Sequence, residues 1–159
     1  MINPLKTFLR RTNRPTSAAH LELGEHGEQM ALEYLRDYED YRIVATNFLV
    51  PLGRGLSGQK VTGEIDIIAY DGAILVFVEV KTRTSDELAS PERAVGLRKQ
   101  RQIARTASRY RQLMKLYHEP YRYDVVTVLP NADSMRIELL RGYFDDRVFQ
   151  RSRYLRADA

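Results

Sequence analysis

The chain of 159 residues contains no cysteine. That absence excludes disulfides, thiolate metal sites and cysteine nucleophiles, and argues against structural zinc. No apolar run approaches the roughly 18 residues needed to span a bilayer, so no membrane association is expected. The opening MINPLKTFLRRTNRPTSAAH has neither a continuous apolar stretch of leader length nor a small-residue cleavage pattern behind one. A cytoplasmic location is therefore the expectation. Those residues also lack any acid, while Lys6, Arg10, Arg11 and Arg14 supply positive charge. The net charge of +4 arises there, because the remaining basic and acidic residues balance at 21 each. Nucleic-acid affinity elsewhere must come from how charges are arranged.

What is present suits an ordinary globular protein, with 43% hydrophobic and 29% charged residues and no repeat or low-complexity tract. The expected organisation is a flexible basic arm over 1–17, a single domain over 18–150 and a tail over 151–159. Gly24, Gly27, Ala31, Tyr34 and Leu35 recur at helical steps between about Ala18 and Tyr38, and Glu28 shares their stripe. RIVATNFLV (42–50) suits a strand, and the glycine-rich PLGRGLSGQKVT after it reads as a loop. Ser90-Pro91 predicts the start of a long helix reaching about Tyr117, and YDVVTVL (123–129) and MRIELL (135–140) predict two more strands. This order implies an α/β fold with a mixed sheet flanked by helices.

Between Gly63 and Arg83 the chain reads GEIDIIAYDGAILVFVEVKTR. Asp71-Gly72 is a strong two-residue hairpin turn, which places Tyr70 opposite Ala73, Asp66 opposite Phe77 and Glu64 opposite Glu79. In that register Glu64, Asp66, Glu79 and Lys81 project from one face, and Ile65, Ile67, Ala69, Ile74, Val76, Val78 and Val80 from the other. Like charges directly across a ladder destabilise it, and a divalent cation between Asp66 and Glu79 would relieve that repulsion. Mg²⁺ or Mn²⁺ suits such oxygen ligands, with Lys81 beside them to orient water or stabilise charge on phosphate. The alternative is structural, with Lys81 neutralising Glu79 or Glu64 and no metal bound.

From Arg93 to Lys115 there are eight Lys and Arg residues and no acid. Arg98, Arg101, Arg105 and Arg109 recur at steps of three and four, a basic stripe about 16 Å long. Together with Lys99 they form the expected nucleic-acid-binding set. Nothing in the set reads bases, so backbone or shape recognition is expected.

The combination of Gly24, Gly27, Glu28, Ala31, Tyr34 and Leu35 with GEIDIIA, VFVEVKTR, Pro91, Ala94, Val95 and Lys99 resembles the YraN family of uncharacterised bacterial proteins. That family is related to the restriction-endonuclease-like superfamily and, more distantly, is similar to archaeal Holliday-junction resolvases. The resemblance spans about residues 20–128. It implies a restriction-endonuclease-like sheet with Asp66 and Glu79 as metal ligands, Lys81 as catalytic lysine and Glu28 as an additional acid. Glu64 belongs to the same motif, and a role in positioning water or lysine stands beside direct ligation. The implied activity is hydrolysis of DNA phosphodiester bonds, with branched or structured DNA among the candidate substrates. Resolvase-like enzymes act as dimers, so a homodimer is also implied. A non-catalytic nucleic-acid-binding protein on the same fold is the rival expectation.

Overall fold

The computed structural model describes residues 18–83, 93–130 and 135–150. The expected arm over 1–17 and the tail over 151–159 lie outside the described residues, as do Ser90 and Pro91, but the long helix expected to start there begins instead at Leu97, with Gly96 as its N-cap. Helix α1 (Ala18–Asp37) is followed by strands β1 (Arg42–Arg54), β2 (Lys60–Asp71) and β3 (Ile74–Thr82). Helix α2 (Leu97–Leu113), strands β4 (Tyr121–Pro130) and β5 (Met135–Phe144) and a short 3-10 helix, Asp146–Phe149, complete the order. The five strands form one sheet in sequence order. All neighbours are antiparallel except β3 and β4, which α2 links as a parallel crossover. This is the mixed sheet flanked by helices that the sequence implies.

Both faces of the sheet are covered, which explains the near-continuous apolar runs in its central strands. Ala31 and Leu35 of α1 bury Ile67, Ala69, Val76, Val78 and Val80 on one face. Ile103, Ala104, Ala107 and Tyr110 of α2 bury Ile65, Ile68, Leu75 and Phe77 on the other. The expected division into one apolar and one acidic face is therefore corrected. Ile65 and Ile67 lie two apart yet on opposite faces, so the alternation of β2 breaks between them. The break falls beside Asn47 of β1, whose φ of 49° interrupts regular strand geometry.

Three boundaries also differ. The glycine-rich segment after residue 50 is mostly strand, with Pro51 opposite Thr62 and Arg54 opposite Lys60, because an irregularity at Pro51/Gly53 absorbs the misfit residues. Helix α2 stops at Leu113, short of Tyr117, as Lys115 turns to a φ of 58°. Strand β5 continues to Phe144, four residues beyond the apolar run.

The helices sit close to the sheet at two glycines. A Cβ on Gly27 would fall 1.9 Å from Thr82 Oγ1, and one on Gly63 would fall 2.1 Å from Thr106 Oγ1. The Gly63 contact cannot relax easily, because Thr106 is buried and its hydroxyl donates to the Gln102 carbonyl at 2.7 Å. Gly63→Ala is expected to destabilise the fold by about 1–3 kcal/mol through overpacking. In urea titrations, Thr106→Ala in the same chain should recover part of the loss, so additive effects would contradict this account.

Candidate active site

The hairpin joining β2 and β3 turns on Gly72-Ala73, with Asp71 opposite Ile74 and Ile67 opposite Val78. Gly72 has a φ of 59°, a turn conformation that glycine adopts without steric cost. This corrects the expected register by two residues. An even shift preserves the parity of the pairing but changes the partners, so Phe77 faces Ile68 instead of Asp66. Glu64 and Glu79 are no longer opposed.

Beyond the Ile67/Val78 pair the two strands leave the regular ladder, and Asp66 enters the gap. Its Oδ2 accepts a hydrogen bond of 2.7 Å from the Val80 backbone N–H. Asp66 thereby connects the two sides of the sheet. On the α1 side it lines a groove of about 380 Å³ with Glu28, Glu25 and Glu64. Gly27 brings α1 close against Thr82, and the next residue, Glu28, faces that groove half-buried.

On the α2 side lies Glu79, only 2% exposed. Its Oε1 is 3.0 Å from Lys81 Nζ and its Oε2 is 3.2 Å from Lys99 Nζ. Both carboxylate oxygens of Glu79 lie within ion-pair distance of an ammonium. Lys99 therefore belongs to the acidic centre, apart from the stripe of Arg98, Arg101, Arg105 and Arg109. One residue along a helix is a rotation of about 100°, which separates Lys99 from Arg98 and turns it toward the sheet.

The electrostatics match this crowding. Burial, and then the neighbouring Glu79 carboxylate, push the Asp66 pKa well above the usual carboxylate range. For Lys99, burial acts downward, but Glu79, Asp66 and Glu64 outweigh it and hold the ammonium above the ordinary lysine value. Among the described residues no three acidic or histidine side chains close into a ready-made metal cage. The donor set instead suits a hard cation that takes one or two carboxylates and completes its shell with water and phosphate oxygens. Asp66 and Glu79 would be those carboxylates.

The basic stripe of α2 is only partly available to a ligand. Arg98, Arg105 and Arg109 are exposed, whereas Arg101 is half-buried and donates from Nε to the Val148 carbonyl at 2.8 Å. That bond anchors the 3-10 helix, whose Phe149 is 41% exposed. The sequence reading passed over Phe149 because its segment is weakly patterned. An aromatic flanked by Asp-Asp-Arg and Gln was the available cue.

No described helix is long and apolar enough to cross a membrane. Comparison with known proteins gives a family match over residues 27–128 to "Uncharacterised protein family UPF0102". A UPF0102 protein of Syntrophus aciditrophicus is 40% identical over 79% of this chain and 91% of its own. Another, from Symbiobacterium thermophilum, is 42% identical over 77% of this chain and 95% of its own. The solved structure of SSO0001 is similar at 16% identity and a TM-score of 0.43, over 87% of this chain and 62% of that one, a likeness that carries no argument. The matched segment runs from Gly27 through the Asp66, Glu79 and Lys81 hairpin to Val128, and the chain belongs to UPF0102, the YraN family.

Proposed function

We propose that the protein is a divalent-metal-dependent nuclease that hydrolyses DNA phosphodiester bonds. The observation that carries this reading is the convergence of Asp66, Glu79 and Lys81 where β2 and β3 part, beside a groove lined by Glu28 and Glu64. Burying two carboxylates together is costly, and a site that receives a cation and a phosphate gives that cost a use. A bound Mg²⁺ or Mn²⁺ supplies Lewis acidity toward a phosphate oxygen and acidifies water.

Asp66 and Glu79 would hold the cation, with Val80 N–H fixing the orientation of Asp66. Lys81, half-buried and anchored on Glu79, has an ammonium positioned to hydrogen-bond a phosphate oxygen and stabilise its developing charge. Glu28 and Glu64, farther out in the groove, are positioned to orient water. Exposed Arg98, Arg105 and Arg109 would contact the DNA backbone without reading sequence.

The test is cleavage of linear, single-stranded and four-way DNA with Mg²⁺, Mn²⁺ or EDTA. Lys81→Ala is expected to lower metal-dependent cleavage by about 100- to 1,000-fold. Equal activity in wild type and variant would assign the cleavage to a contaminant.

A second reading, nucleic-acid binding without cleavage, is favoured by one observation: both Glu79 oxygens already lie within ion-pair distance of a lysine. Calorimetric titration with Mn²⁺ separates the two. Saturable binding weakened by Glu79→Gln supports the metal site, and no binding supports the lysine-neutralised cluster.

A further inference from the structure

We infer that a second groove, between the outer face of α2 and the 3-10 helix, binds an unpaired nucleic-acid segment. A base stacks on Phe149 while Arg105 and Arg109 hold adjacent phosphates. This rests on the nuclease reading above and specifies the form of DNA that the protein engages. The groove encloses about 520 Å³. Arg105, Ser108 and Arg109 form its floor, Leu52 and Gly53 one wall and Phe149 the other.

The two guanidinium groups are positioned for a ligand. Both arginines are exposed, and among the described residues neither pairs with a carboxylate. Arg109 makes one long contact, 3.4 Å, to the Gln112 side chain, and Arg105 stands 6.0 Å from the centre of the Phe149 ring. Four residues apart on a helix, they rise about 6 Å along the axis, a spacing that suits neighbouring phosphates.

The aromatic wall is fixed before any ligand arrives. Val148, next to Phe149, is 4% exposed, and its carbonyl is held by Arg101 Nε. At the start of the same short helix, Asp146 accepts hydrogen bonds from the hydroxyls of Tyr121 and Tyr123. The backbone that carries the ring is therefore held in place, which lowers the ordering left for binding to impose. Across the groove, Gly53 has a φ of 108° and no atom within 4 Å of where a Cβ would be, so that wall is open.

Cations beside an exposed ring on an anchored backbone match the two repeating features of a single strand, phosphate and base face. A duplex offers the phosphates but keeps its base faces stacked. An acidic peptide would satisfy the arginines and leave Phe149 unused. The groove also lies on the helix that carries Lys99, about 9–15 Å from it along the axis, so a strand held there is near the acidic centre.

The test uses the full chain in EDTA, with fluorescence anisotropy of labelled oligo-dT and a duplex of equal length across a salt series. Wild type is expected to prefer the single strand. Phe149→Ala should weaken single-strand binding on the order of 10-fold, more than duplex binding, and Phe149→Tyr should restore it. Arg105→Gln with Arg109→Gln should reduce the slope of log K against log salt by about 1.4. Single-strand affinity unchanged in both variants would overturn the inference. So would polyglutamate competing as strongly as unlabelled oligo-dT, which would indicate an acidic protein partner. If neither variant matters while cleavage depends on Asp66, the groove assignment fails and the nuclease reading stands. If single-strand binding needs Phe149 and no cleavage occurs, the groove stands and the nuclease reading fails.

Discussion

Asp66→Asn is expected to lose metal-dependent DNA cleavage by more than about 100-fold and yet to melt at a higher temperature than wild type at neutral pH. The loss follows from removing one of two carboxylates that would hold the cation. The gain follows from the raised pKa of Asp66, caused by burial and by Glu79. A carboxyl group that holds its proton more tightly when folded contributes stability below its unfolded pKa, and that contribution disappears as pH rises through the folded value. Above the unfolded carboxylate value wild type therefore bears the cost of either holding a proton on Asp66 or ionising it beside Glu79. Asparagine removes the charge and keeps an acceptor for the Val80 N–H, which Asp66 now satisfies at 2.7 Å.

For a chain of this size each kcal/mol recovered raises Tm by about 2–4 °C. The difference in Tm should widen as pH rises above the unfolded carboxylate value and close as pH falls to about 4. Calorimetric melts of both proteins across that range, paired with cleavage assays, check both halves. Identical melts at every pH would contradict the raised pKa, and undiminished cleavage would remove Asp66 from the site.

Arg122→Met is expected to have the opposite profile, a loss of about 3–5 kcal/mol in stability with activity per folded molecule retained. Arg122 Nη2 donates to Asp71 Oδ2 at 2.7 Å and to the Tyr41 hydroxyl at 2.7 Å, while its Nε donates to Asp124 Oδ1 at 2.8 Å. Asp124 is 1% exposed and would lose its only cationic partner among the described residues. The hydrogen bonds from Tyr41 and from Gly142 N–H would remain but cannot neutralise it. Burial, and next the Asp124 charge, already push the Tyr41 hydroxyl up to about 12, so it stays protonated and offers Asp124 a hydrogen bond but no compensating charge. The network lies at the turn end of the hairpin, five residues and about 16 Å along β2 from Asp66. Urea denaturation measures the stability loss. Adding Asp124→Asn should recover part of it, and a variant as stable as wild type would show that the network is dispensable.

Much of this was legible in the sequence. Helical spacing located α1, alternation and the glycine turn located the hairpin, and the hairpin brought Asp66 toward Glu79. Asp71-Gly72 and Gly72-Ala73 are both two-residue turns of the same parity, so side-chain patterning could not choose between them. Ile65 and Ile67 on opposite faces could not be read from β2 either, because the cause lies across the ladder at Asn47. Lys99 and Phe149 depend on tertiary contacts, one with Glu79 on another element and the other with Arg101 through Val148. A single sequence offers no periodicity that reports such contacts.

The two irregularities in β1 have a consequence for how copies of the chain can meet. In the order β1 to β5, the outermost strands are β1 and β5, whose free backbone groups would ordinarily invite another strand. Along β1 the ladder shifts between Ile43 and Ala45 and again between Pro51 and Gly53, Asn47 lies between these shifts in a left-handed conformation, and Pro51 has no N–H to offer. No long uninterrupted row of donors and acceptors survives along that border. Two sheets are thus discouraged from fusing along β1.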